Sequence, residues 1–225
     1  MRKSVLLIIF ISISSISLGQ MYEAGIFIGG SNYVGDIGRT HYIYPNKIAG
    51  AAFVKFNLNP RIALRATYSY IPIKGNDLEA DTDFRRDRGM NFSNTINELA
   101  VGLEYNFYEY DISSDDKTWT PYILLELAGI NYKYIISKPQ PNQYQFDYKN
   151  AISIPFGVGF KSKLVGPLAF SLEAKFRYTF EDDLDYNTDK IDELNFGGTG
   201  NDWYMFTGFS LIYTFGRPAC YTNGF

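Results

Sequence analysis

The sequence predicts an all-β fold: an eight-stranded antiparallel transmembrane β-barrel of the outer-membrane type, with a polar, side-chain-filled interior. Three observations carry that prediction. Alternation of apolar and polar residues with period two recurs about eight times, while helical spacing is absent. Aromatic residues make up 17% of the 225 residues, as 19 Tyr, 18 Phe and 2 Trp, about twice a usual share and of types that strands favour. Finally, one face of each alternating segment carries no Asp, Glu, Lys or Arg, although a chain that is 20% charged would put about nine there.

The first segment is a targeting element. Met1-Arg2-Lys3 is a positive start, an apolar run broken by serines follows, and small residues at Ser17 and Gly19 suit cleavage after Gly19. The run is too short and too interrupted for a membrane helix, which needs about 20 apolar residues. The expected organisation is therefore a signal peptide over 1–19, a barrel over 20–215 and a C-terminal tail over 216–225. Loss of Arg2 and Lys3 would take the formal charge from -3 to -5.

Strands are predicted at 21–31, 47–57, 62–71, 96–107, 122–131, 152–161, 168–179 and 203–215. Each is near ten residues, about the length that crosses a tilted barrel wall. The seventh shows the logic best. Leu168, Phe170, Leu172, Ala174, Phe176 and Tyr178 share one face, against Ala169, Ser171, Glu173, Lys175, Arg177 and Thr179. The eighth puts Trp203, Met205, Phe209, Leu211, Tyr213 and Phe215 on its apolar face. Across all eight, the opposite face carries Glu23, Lys55, Arg65, Glu98, Glu104, Glu126, Lys161, Glu173, Lys175 and Arg177. A soluble sandwich inverts this arrangement, with apolar residues inside and charges in water. Charges facing lipid are costly, and buried charges need partners. Five acids and five bases enclosed by an apolar wall satisfy both conditions. Tyr22, Tyr70, Tyr105, Phe107, Tyr178, Trp203 and Phe215, near the strand ends, are expected to form interfacial girdles.

Connections orient the barrel. Those at 58–61 and 162–167 are short, and the one after Phe107 is intermediate. Loops one to four, at 32–46, 72–95, 132–151 and 180–202, are long and polar. Short turns face the periplasm in such barrels, and an even strand count returns both termini there. An eight-stranded barrel is just wide enough to be filled by side chains, so general diffusion is not expected.

The remaining composition narrows the chemistry. One His and one Cys leave no material for an internal disulfide or a thiolate metal cluster, and the mild negative charge gives no footprint for nucleic acid. No enzyme activity, cofactor, metal or small-molecule substrate is expected; the expected partners are outer-membrane lipid and proteins. Loop four gathers Glu181, Asp182, Asp183, Asp185, Asp189, Asp192, Glu193 and Asp202 against Lys190. Without EF-hand spacing, that is read as a solvated acidic loop rather than a calcium site. The Arg85-Arg86-Asp87-Arg88 run reads as surface charge before it reads as a lipid-phosphate clamp. His41, the one histidine, lies in a loop without the spacing of a lipid hydrolase. In the tail, Arg217, Pro218, Cys220 and Tyr221 form a candidate partner-docking segment: a donor fork, a stiffener, a free thiol and a large contact side chain.

Several short motifs resemble one family. Glu23-Ala24-Gly25 with Ser31 through Asp36, then Glu173, Arg177 and Thr179 running into Asp182-Asp183-Leu184-Asp185, are similar to the PorG family of the Bacteroidetes. Asn201-Asp202-Trp203-Tyr204 and Arg217-Pro218-Ala219-Cys220-Tyr221 resemble its ending. The resemblance implies an outer-membrane barrel of the type IX secretion and gliding apparatus, associated with a periplasmic ring built from PorK and PorN. The expected function is thus structural, anchoring or assembling such a machine through the periplasmic side. The rival is a stand-alone adhesin or membrane-stabilising barrel that acts through its loops.

Overall fold

The structure, a computed structural model, describes residues 21–110, 118–140, 143–195 and 200–216. The expected signal peptide and the tail residues Arg217, Pro218, Cys220 and Tyr221 lie outside the described residues. Eight strands form one closed barrel: β1 (Met21–Val34), β2 (Lys47–Asn59), β3 (Ile62–Asn76), β4 (Asn91–Asn106), β5 (Trp119–Gln140), β6 (Gln143–Val165), β7 (Leu168–Thr179) and β8 (Trp203–Gly216). Each pairs antiparallel with its sequence neighbours. Closure runs from Met21↔Gly216 to Val34↔Trp203. A closed ring leaves no edge, so every backbone donor in the wall finds a partner without water.

The alternation sorts side chains to two opposite solvents. Ile26, Val54, Leu99, Val101, Leu103, Leu125, Leu127 and Leu172 are exposed on the outer wall, while the charged residues between them are buried. This is the polarity of a membrane barrel. Aromatic residues gather at both rims. Tyr22 meets Phe56 and Phe215 at one end (centroids 5.4 and 5.7 Å), and Tyr178 meets Trp203 at the other (5.1 Å). The first end carries the short turns, around Pro60-Arg61 and around Gly166-Pro167, and both barrel termini. Gly166 sits at φ 54°, where a side chain would be strained.

At the long-loop end the structure departs from the expected boundaries. Residues 132–151 are not a loop: β5 continues to Gln140 and β6 begins at Gln143, making one long hairpin. β4 follows β5 only as far as Asn97↔Asn131, and β7 follows β6 only from Ser153↔Thr179. Beyond those points the hairpin leaves the wall as a two-stranded ribbon. On the β5 arm Tyr132 joins the core and Ile135 is buried, but the β6 arm buries no residue from Gln143 to Asn150, so the alternation that marks a wall strand is not required there. Loop two is likewise shortened, because β3 and β4 pair through Asn76↔Asn91; the remainder includes a short helix, Asp83–Arg88, ended by Gly89 at φ 67°. Met205, expected on the lipid face, is fully buried. Loop one folds back over the outside of the wall, where the Asn32 side-chain amide donates to the carbonyls of His41 and Tyr42 and contacts the Met205 sulfur.

Candidate functional site

The candidate site is the lumen and its two mouths. The ten charged residues named from the sequence alternate onto the inner face, and none is more than 4% exposed. Eight of them form one connected network. Glu104 receives Lys55 at 2.7 Å and Lys161 at 2.6 Å, and lies 3.5 Å from Arg65. Arg65 pairs with Glu173 at 2.6 Å, and Lys175 with Glu126 at 2.6 Å. Glu23 closes the chain at 3.7 Å from Lys55. Four acids and four bases cancel. Above them Arg177 and Glu98 form a separate neutral pair at 2.9 Å.

Neutral donors complete the carboxylates. The hydroxyls of Tyr122 and Tyr204 donate to Glu173 and Glu98 at 2.6 Å, Thr67 to Glu126 at 2.9 Å, and the Asn57 amide to Glu23 at 3.0 Å. Those partners were not singled out in the sequence, although their parity on the inner face carries the signal. Buried ions are tolerable only when paired, and Glu23 Oε2, 3.7 Å from Lys55, is held by charge without a hydrogen bond. Toward the long-loop end the inner face turns apolar: Phe27, Phe53, Ile71, Ile73, Ile96, Ile130 and Phe206 are all buried. Phe27 and Phe206 approach to 4.4 Å between centroids. The lumen is filled by ions below and by rings and branched side chains above.

Over this layer lies an acidic mouth. Tyr33 donates to Asp202, whose other oxygen accepts from Leu184 N–H at 3.0 Å. The Asn187 amide donates to both Asp36 and Asp182 at 3.1 Å, tying loop one to loop four. Burial pushes the Asp202 carboxyl up to about 9, reinforced by the charge of Asp185. Burial raises Asp185 to about 7 and Asp182 to about 6, with Asp36 adding to both. Near neutral pH Asp202 is therefore a protonated, hydrogen-bonding carboxyl, Asp185 is about half protonated, and Asp182 is mostly ionised. The rest of loop four is not opposed by Lys190 alone, as the sequence reading had it: Lys149 reaches Glu181 at 2.6 Å and Asp183 at 2.9 Å, and Lys138 pairs with Glu193. Among the described residues no three His, Cys, Asp or Glu side chains converge to hold a metal ion.

Within the arginine run Arg86 and Asp87 are exposed surface charge, as expected, whereas Arg85 and Arg88 are partly buried and bonded within the loops. Arg85 donates to the carbonyls of Gly35 and Gly38, and Arg88 holds Asp77 at 2.7 Å and the Asp36 carbonyl. Asp77, fully buried, also accepts from Gly38 N–H at 2.8 Å, so loop two is bolted to loop one. His41 lies 3.4 Å from Asp81 in an exposed pair on the same loops.

Comparison with known proteins adds a family and a set of similar barrels. The model of a family described as "Domain of unknown function (DUF6089)" matches residues 2–224. No curated protein matches the sequence. Similar solved structures include the N-terminal β-barrel domain of Pseudomonas aeruginosa OprF, at 12% identity, covering 88% of this chain and 98% of that one, with a TM-score of 0.47. Ail, the attachment invasion locus protein of Yersinia pestis, is similar at 11% identity, 88% and 99% coverage and a TM-score of 0.46. Neisserial surface protein A is similar at 9% identity, 88% and 97% coverage and a TM-score of 0.48.

Proposed function

The chain belongs to the DUF6089 family, described as a domain of unknown function, and from that premise we propose that it is a non-enzymatic outer-membrane barrel that anchors or assembles a type IX secretion and gliding apparatus through its periplasmic side. The observation that carries the reading is the filled lumen. A barrel packed with paired ions and rings offers no aqueous path, so its work falls to its outer wall and its two ends. In this reading the short-turn end and both termini face the periplasm, where the Arg217–Tyr221 segment meets ring subunits resembling PorK and PorN.

The resemblance to the PorG family gains support from how its motifs meet in space. Residues from separate parts of the sequence meet in three places: Arg177 and Tyr204 on Glu98, Asp202 on the Leu184 N–H, and Asp182 and Asp36 on the Asn187 amide. The ribbon of β5 and β6, with Phe146 and Tyr148 exposed, favours the second reading, an adhesin acting from the long-loop end.

Co-purification in mild detergent separates the two. Deletion of 217–225 is expected to leave the barrel inserted while weakening retention of the ring subunits and lowering secretion. Shortening the ribbon is expected to spare ring retention. Full retention after tail deletion would move docking to the turn after Phe107. Loss of host-surface attachment on ribbon shortening, with no ring subunits retained by the intact protein, would establish the adhesin instead.

A further inference from the structure

β4 and β5 are joined backbone to backbone only as far as Asn97↔Asn131; beyond it β4 keeps β3, and β5 keeps β6. The wall parts there into two hairpins, and side chains bridge the parting. Asn94 Nδ2 donates to the carbonyls of Lys133 and Leu184 at 2.8 Å, and Lys133 N–H donates to Asn94 Oδ1 at 3.3 Å. Tyr186, at φ 74°, donates its hydroxyl to the Ser93 carbonyl at 2.8 Å. Between the hairpins remains a notch of about 290 Å³, lined chiefly by Tyr70, Ser93, Thr95, Asn97, Lys133 and Tyr148.

The height of the notch identifies what it meets. Just below it, Leu99, Leu127 and Ile152 are exposed hydrocarbon-facing residues. At its floor Asn97, Asn131 and Asn150 stand side by side in register on three strands. Asn131 Nδ2 donates to Asn150 Oδ1 at 2.8 Å, and the Tyr68 hydroxyl donates to Asn97 Oδ1 at 3.2 Å. Amides in that number are costly against acyl chains and at home among headgroups. Among the described residues lining the notch, Lys133 carries the one formal charge, its ammonium 5.7 Å from the centre of the Tyr148 ring. The other lining groups are hydroxyls and amides, the donors a phosphate oxygen takes up.

We propose that this notch binds the phosphorylated headgroup of an outer-leaflet lipid, with its phosphate on Lys133 and its acyl chains running down the wall over Leu99, Leu127 and Ile152. A protein strand is the poorer occupant at this level, because the Asn94 side chain already takes the backbone N–H and C=O of Lys133. The inference rests on the orientation given above only in naming the leaflet.

The test is native mass spectrometry of the full chain in mild detergent, with bisphosphorylated lipid A, dephosphorylated lipid A and inorganic phosphate as separate probes. The bisphosphorylated lipid should stay bound. Removing its phosphates, or making Lys133→Ala, should each weaken retention about tenfold, the scale of one charge-assisted hydrogen bond. Lys133→Arg should restore most of the retention, and Lys190→Ala, on exposed loop four, should change nothing. Equal binding of the dephosphorylated lipid, or unchanged binding by Lys133→Ala, overturns the proposal. So does full competition by inorganic phosphate at equal concentration, which would mark a bare anion site, or an equal loss in Lys190→Ala, which would mark a bulk charge effect. Binding in micelles is independent of orientation, which protease access to the ribbon on whole cells tests separately.

Discussion

Arg177 and Leu172 lie five residues apart on β7 and face opposite solvents. Arg177 holds Glu98 with three hydrogen bonds of 2.9–3.1 Å. Arg177→Leu should leave that carboxylate buried with the Tyr204 hydroxyl as its remaining charge-stabilising donor, at a cost of about 3–5 kcal/mol. Leu172→Arg should be harmful by another route, since a cation in the lipid-facing wall costs about 2–4 kcal/mol at mid-depth. Reversible unfolding in lipid vesicles measures both. A silent Leu172→Arg would mean that the two faces of β7 had been exchanged. The acidic mouth makes a prediction of different sign. Asp182, Asp185 and Asp202 hold protons in the folded loops that they release in an unfolded chain, where an aspartate titrates near 3.9. Their contribution is therefore complete below about pH 4 and is lost as pH rises through about 6 to 9. Limited proteolysis of loop four should be slower at pH 5 than at pH 9. Asp202→Asn, which keeps an acceptor for Leu184 N–H, should flatten that dependence; an unchanged pH profile would show that the pair does not control the loop.

Among the elements, β5 and β6 teach the most about what the sequence reveals. Within the wall each residue is assigned by one of two opposite solvents, so parity alone places Glu126 inside and Leu127 outside, and β7 could be read to its last residue. Above Asn131 the β6 arm of the ribbon buries neither face, and the pattern that separates strand from loop fades although the backbone ladder continues to Gln140. The same reasoning explains Met205. Its parity is outward, but a long loop returns over the wall, and no local signal announces that. The charged site was legible because ten ionisable residues sat on one parity. Asp77 was not, because its partners Gly38 and Arg88 belong to two different loops. The β4–β5 parting predicts a measurable weakness. Asn94 stands in for the missing ladder, so Asn94→Ala should remove those bonds and cost about 1–3 kcal/mol locally. Hydrogen exchange should then accelerate at the Lys133 amide while the Glu126 amide, lower in the same strand, keeps its protection. Equal acceleration at both would make Asn94 a determinant of the whole barrel instead.

At the scale of the molecule, a closed ring with a filled centre is a rigid post in a membrane. Its wall presents hydrocarbon to lipid, and a neutral network of four acids and four bases occupies the lower lumen. Arg65, Lys55, Lys161, Lys175, Tyr122, Phe27 and Phe206 leave almost no side-chain surface accessible inside. Opening a path would require unpairing ions that have nowhere else to find partners. With the lumen filled in this way, the function proposed for the two ends needs no path through the barrel. Reconstitution of the full chain into a planar bilayer, with folding checked by the faster migration of the unboiled protein, tests the point most directly. The filled barrel should give a flat current at every applied potential; reproducible single-channel steps would contradict it.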